Sequence, residues 1–82
     1  MATRAANRAI ATYLLEIAGL DEPTTQTMIV GMKIDTPKQI LSVTYDQLLA
    51  GDKIAAGDAV DILQLQNFLK FMLQKREAPL PH

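Results

Sequence analysis

Thr36-Pro37-Lys38-Gln39-Ile40-Leu41 is followed at once by a near copy of itself, Thr44-Tyr45-Asp46-Gln47-Leu48-Leu49. Each copy places a threonine where a helix would begin and a glutamine three residues later. In that spacing the threonine oxygen accepts from the third helical amide, and the glutamine reaches back to the amide of the cap. Pro37 suits the first helical position, where its missing N–H would have no partner in any case. Two helix starts eight residues apart leave room only for two very short helices, with Ile40, Leu41, Leu48 and Leu49 as their packing residues.

Working outward, Thr3 reads as the cap of a first helix running to about Ala18. Ala6, Ile10, Tyr13, Leu14 and Ile17 share one face of it at 3.6-residue spacing and are the expected core face. Gly19 is placed to end that helix in the left-handed conformation. Asp21-Glu22-Pro23 begins another, with acids at the positive helix end. Thr24–Val30 is rich in β-branched residues and makes a weak helix; a short strand competes there, but no second strand exists to pair with it. Gly31 punctuates, and Met32 and Ile34 anchor a connecting loop in the core. After the two short helices Gly51-Asp52 marks a turn. Asp58 is the expected cap of the longest helix, with Asp61 in its first turn and Lys75 or Arg76 near its end. Ile62, Leu65, Phe68, Leu69, Met72 and Leu73 make one broad apolar stripe on that helix, while Val60 and Phe71 point away from it. Phe71 lies among Gln64, Asn67, Gln74 and Lys75, so its ring is an anchor for a partner or a lone exposed apolar residue. The expected organisation is one all-α domain over residues 3–76 and a proline-containing tail over 77–82.

Eighty-two residues with a 49% apolar share suffice for one small core. The absence of cysteine excludes a disulfide scaffold, a thiolate metal site and a cysteine nucleophile, and the one histidine is His82. No apolar run approaches the length of a membrane span, and no signal-type run follows Arg4 and Arg8. The expectation is a soluble intracellular protein, cytoplasmic or nuclear. Net charge is −1, unevenly laid out. Residues 21–61 hold seven acids (Asp21, Glu22, Asp35, Asp46, Asp52, Asp58, Asp61) against Lys33, Lys38 and Lys53, between two weakly basic ends. Such a layout fits solvated faces, or a dipolar particle that attracts its own copies.

The order of these elements resembles the sterile alpha motif (SAM) domain: five helices, the middle ones short and the last long. Leu14-Leu15 with Ala18-Gly19-Leu20 stands where that family has Trp-Leu, two variable residues and Ile-Gly-Leu. Gly31 with Ile34-Asp35 is similar to its Gly-Ile-Asp. Leu41-Ser42-Val43-Thr44 with Asp46 and Leu48 is similar to its Leu-x-x-Leu-Thr-x-x-Asp-Leu. Ile54, Gly57 and Ile62-Leu63 resemble its Gly-Ile…Gly-His-Arg…Ile-Leu approach to the fifth helix. The likeness spans residues 10–73, with Leu14 in place of the tryptophan and Asp58-Ala59 in place of His-Arg. It implies a protein-interaction or self-association module in which an acidic middle surface, here Asp35, Asp46 and Asp52, meets the start of helix 5 at Gly57. Asp58 and Asp61 make that second surface acidic too and oppose the family's usual charge pairing. Self-association would then use the last helix, with Phe71 central and Lys75 at the rim. Val60 joins these as a candidate contact.

No residues make a catalytic site. The carboxylates fall in caps, first turns and loops, and Asp58 and Asp61 have no third metal ligand. No enzyme activity, cofactor, metal, small-molecule substrate or membrane is called for, and a protein partner or further copies are. Nucleic acid is the alternative: Ala55-Ala56-Gly57 resembles a helix-hairpin-helix turn, and some SAM domains bind RNA through helix 5. Against it, Asp58 and Asp61 repel phosphate, and Lys70, Lys75 and Arg76 are a small basic footprint. A small viral or mobile-element component that assembles on a larger scaffold is a further reading.

Overall fold

The computed structural model describes residues 3–77. The chain forms α1 (Arg4–Ile17), α2 (Glu22–Gln26) continued by a π-helical turn (Thr27–Gly31), α3 (Pro37–Ser42), α4 (Tyr45–Leu49), a 3-10 turn (Ala50–Asp52) and α5 (Ala56–Glu77). No strand occurs among the described residues, and the fold is an all-α five-helix bundle with short middle helices and a long last one. Residues 78–82, most of the expected tail, lie outside the described residues. Glu77, also assigned to that tail, is the last residue of α5.

Side-chain caps start four of the helices. Thr3 Oγ1 accepts from the Ala6 amide at 3.0 Å, and Asp21 Oδ1 accepts from the Thr24 amide at 2.9 Å. Thr44 and Gln47 make the complete reciprocal box, with Gln47 Oε1 accepting from the Thr44 amide at 2.9 Å. The first copy differs. Thr36 Oγ1 accepts from the Gln39 amide at 3.2 Å, but Gln39 Oε1 accepts from the Asp35 amide and the Thr36 hydroxyl rather than from the Thr36 amide. It thereby ties down the residue before the cap. Asp58 is not the cap of α5, which begins two residues earlier at Ala56; Asp58 stands in its first turn, where a carboxylate still favours the positive end. Gly19 closes α1 at φ +100°, a conformation open to glycine at little cost.

The weak segment Thr24–Val30 is helical because burial outweighs its propensity. Met28 and Ile29 are both buried, and the backbone widens there to i−5 bonding, with the Met32 amide donating to the Thr27 carbonyl at 2.9 Å. The extra residue per turn lets two adjacent side chains enter the core.

Every helix contributes to that core: Ala11 and Leu15 from α1, Met28 and Ile29 from the π turn, Ile40 from α3, Leu48 from α4, and Ala59, Ile62 and Leu65 from α5. Fully burying one such Leu, Ile or Met side chain contributes roughly 1.5–3 kcal/mol. The buried face of α1 is therefore not the expected one. Ala11 and Leu15 point inward, Leu14 is half-buried, and Ala6, Ile10, Tyr13 and Ile17 are exposed. Alanine at position 11 permits the close approach of α1 to its neighbours that a larger side chain would prevent.

Helix α3 is the wedge of the bundle, packed by α1 on one side and α5 on the other. Gln66, buried in α5, fixes the second contact: its Nε2 donates to the Ile40 carbonyl at 2.8 Å and the Val43 carbonyl at 2.6 Å. Both acceptors lie at the end of α3, where the last carbonyls have no helical partner. Beyond Gln66 α5 continues for three further turns, in which Leu69 still packs against the core and the described side chains past it are exposed. The radius of gyration, 13.7 Å, exceeds the about 12 Å of a compact chain of this length for that reason.

Replacing Gln66 by Leu is expected to cost about 2–4 kcal/mol in urea denaturation, because two buried carbonyls lose their donor. Gln66→Glu is expected to cost more, since it aims an acceptor at both. A second expectation concerns acid. The Thr24 side chain, and then its amide, hold the exposed Asp21 carboxyl below its ordinary 3.8. A lowered folded-state value means a contribution present above the unfolded value and lost as pH falls through the folded one. The stability difference between the wild type and Asp21→Asn, followed by thermal melts from neutral pH downward, is expected to shrink across that window below pH 4.

Candidate functional site

The apolar stripe of α5 is continuous in sequence but not in environment. Ile62 and Leu65 close the core, Leu69 is half-buried, and Phe68, Met72 and Leu73 stand in water. The one apolar stripe read from the sequence is thus divided, with its buried part ending near Gln66 and Leu69 half-buried beyond it. Phe68 is 59% exposed and Phe71 58%. With 100° per residue, these five residues of the outer end span an arc of about 200°. Apolar residues are therefore spread over more than half the circumference of this outer end, with Lys75 between Phe71 and Phe68 in the same arc.

One side of this outer end borders a groove of about 570 Å³. Its floor is Pro37 and Leu41 on the outer face of α3, and its walls are Leu14 of α1 and Leu69, Met72 and Leu73 of α5. Among the described residues Lys75 is the one charged residue lining it. The geometry follows from the wedge: α3 has six residues, so above it the two longer helices run on with nothing between them. On its far side Leu14 adjoins Ile10 and Ile17, its neighbours at i−4 and i+3, and Tyr13 beyond them. Tyr13 is 63% exposed. The exposed stripe of α1 and the outer end of α5 thus form one face across the groove. Leucine, isoleucine, methionine and aromatic side chains give this face mainly apolar area, with the Tyr13 hydroxyl and Lys75 as its polar groups.

Of the residues singled out from the sequence, Phe71 and Lys75 are together, with Lys75 Nζ 5.9 Å from the centroid of the Phe71 ring. A cation over an exposed ring contributes about 0.5–1 kcal/mol. Val60, also exposed, lies on the same side of α5 three turns earlier, near the body. The acidic residues are dispersed. Asp35 precedes α3 and is engaged by Arg4 at 3.8 Å, Asp46 is in the first turn of α4, and Asp52 follows Gly51 in the 3-10 turn at φ +55°. Gly57 is in the first turn of α5 with open space where a Cβ would stand. Sequence reasoning missed Leu14, Pro37 and Leu41 as site residues, because they become a surface only when three helices are placed side by side. It missed Tyr13 by assigning it to the core.

Among the described residues no group of three His, Asp or Glu side chains could hold a metal ion, and no helix is long and apolar enough to cross a membrane. A smaller cleft of about 330 Å³ lies between the loop after the π turn, α3 and α4. It is lined in part by Gln39 and Gln47, whose amide oxygens are taken up by the helix caps. No family model, curated protein or solved structure matches the chain.

Nothing in the folded chain requires the missing side chain at Gly57. Gly57→Ala is expected to stabilise the protein by about 0.5–1 kcal/mol in urea denaturation, through helix propensity alone.

Proposed function

We propose that the chain is a non-enzymatic, SAM-like protein-interaction module that engages a protein partner on the face formed by α1 and the outer end of α5. The supporting observation is the exposed apolar surface of Phe68, Phe71, Met72 and Leu73 on the outer end of α5, where only Leu69 packs against the core, continued across a groove by the exposed stripe of α1. An outer helix end with no binding role needs charged and polar residues there, and a charged face costs nothing to make. Water instead meets two phenylalanines, a methionine and a leucine, with a tyrosine and two isoleucines opposite. Exposed aromatic and methionine side chains are the composition of contact surfaces.

The acidic middle residues are less suited to the role. Asp35 has a cation of its own chain, and Asp46 and Asp52 sit on separate elements. The nucleic-acid alternative draws on Lys70, Lys75 and Arg76, of which Lys75 lies over the Phe71 ring. Asp58 in the first turn of α5 meets any phosphate there with like charge.

A photoreactive phenylalanine analogue at position 71, irradiated in extract of the source cells, tests the proposal. The expected product is a covalent protein adduct that excess wild-type chain suppresses and excess Phe71→Asp does not. No protein adduct would overturn the reading, and an adduct with nucleic acid would replace it with the alternative.

A further inference from the structure

We infer that the occupant of this face is a second copy of the chain, in a two-fold symmetric dimer in which the outer end of each α5 lies in the groove of the other. This rests on the interaction reading above and names its partner.

The first argument is area. Ile10, Tyr13, Ile17, Phe68, Phe71, Met72 and Leu73 are each about half exposed or more. Side chains of this size leave on the order of 700 Å² of apolar surface in water, above the few hundred Å² typical of a monomer's largest patch. A stable pair of proteins buries about 800 Å² on each side, so the face is of the size that a dimer of this chain needs.

The second argument is shape. An isologous interface requires a surface that complements itself, and this face carries both halves of a complement. The outer end of α5 projects beyond the body, and the groove between α1 and α5 is a hollow beside it. A two-fold axis perpendicular to the outer ends sets the two α5 helices antiparallel. Each then fills the space above the other copy's α3, with α1 flanking it. The result is a layer of four helices, α1 and α5 of one copy and the same pair of the other. The partner's α5 takes the place beside α1 that the shortness of α3 leaves open.

The third argument is charge. Arg4 and Arg8 project away from the stripe of Ile10, Tyr13 and Ile17 at 100° per residue, and Glu16 borders it beside Tyr13. Among the described residues Lys75 is the one charge lining the groove, and it lies over Phe71. The described contact is thus mainly apolar, and its strength is expected to change little with salt.

Light scattering on the 82-residue chain, over a wide range of concentration and in low and high salt, tests the dimer. The expected mass is twice the 9.0 kDa of the chain at high concentration, falling to 9.0 kDa on dilution, alike in both salts. Tyr13→Asp on α1 and Phe71→Asp on α5 are each expected to weaken association by roughly thirtyfold or more, with helical content by circular dichroism unchanged. Met72→Glu serves as the second α5 variant should either fail to fold. A 9.0 kDa mass at every concentration overturns the dimer, as does a dimer that salt dissolves or that both variants leave intact. The two readings fail separately: a monomer whose position 71 still crosslinks to a different protein removes the second copy and keeps the interaction module.

Discussion

One amide group decides where this molecule ends. The Gln66 Nε2 amide donates to two carbonyls at the end of α3, and that pair of hydrogen bonds fixes the height at which α5 leaves the bundle. The pairing is economical in physical terms. A short helix leaves its last carbonyls without partners, and a buried carbonyl without a donor costs free energy comparable to a lost hydrogen bond. A single glutamine on a neighbouring helix answers two of them and joins the helices at the same time. The alignment of α5 on α3, the depth of the groove and the length of helix beyond the body all follow from that position.

Capping is the part of the fold most plainly written in the sequence, because it is local. Thr3, Asp21, Thr36 and Thr44 each act within three residues of themselves, and their chemistry needs no knowledge of the rest of the chain. The orientation of α1 is not local. Its apolar residues cover a wide arc from Tyr13 through Leu14 to Leu15, and periodicity alone gives equal standing to several faces within it. What selects the inner face is the small volume of Ala11, which matters only once neighbouring helices are present to approach it. The π turn was hidden for the same reason. Its widened backbone is a response to the simultaneous burial of Met28 and Ile29, and β-branched composition signals no more than a weak helix.

The candidate surface divides in the same way. Phe71 stands out in the sequence because it interrupts a polar face, and Val60 does so less strongly. Both are exposed. The stripe from Ile62 to Leu73 gives no sign of its own division into core and surface, since the residue types do not change across it. The one marker is Gln66, a polar residue beside the stripe, and its meaning depends on partners 26 and 23 residues away. Leu14, Pro37 and Leu41 come from two helices and meet the third only in space, beyond the reach of any spacing rule.

A helix supported along half its length has two regimes of motion. From Ala56 to Gln66 the backbone hydrogen bonds of α5 are shielded by α3 and α4, and breaking them requires the bundle to open. From Asn67 onward they face water on most sides, and a turn can unwind there at the cost of its own bonds alone. In the single chain the amide hydrogens from Ala59 to Gln66 are thus the shielded ones of α5, and those past the glutamine the more open, within one unbroken element. A partner on the outer turns would shield those amides as well and lengthen the protected part of the helix.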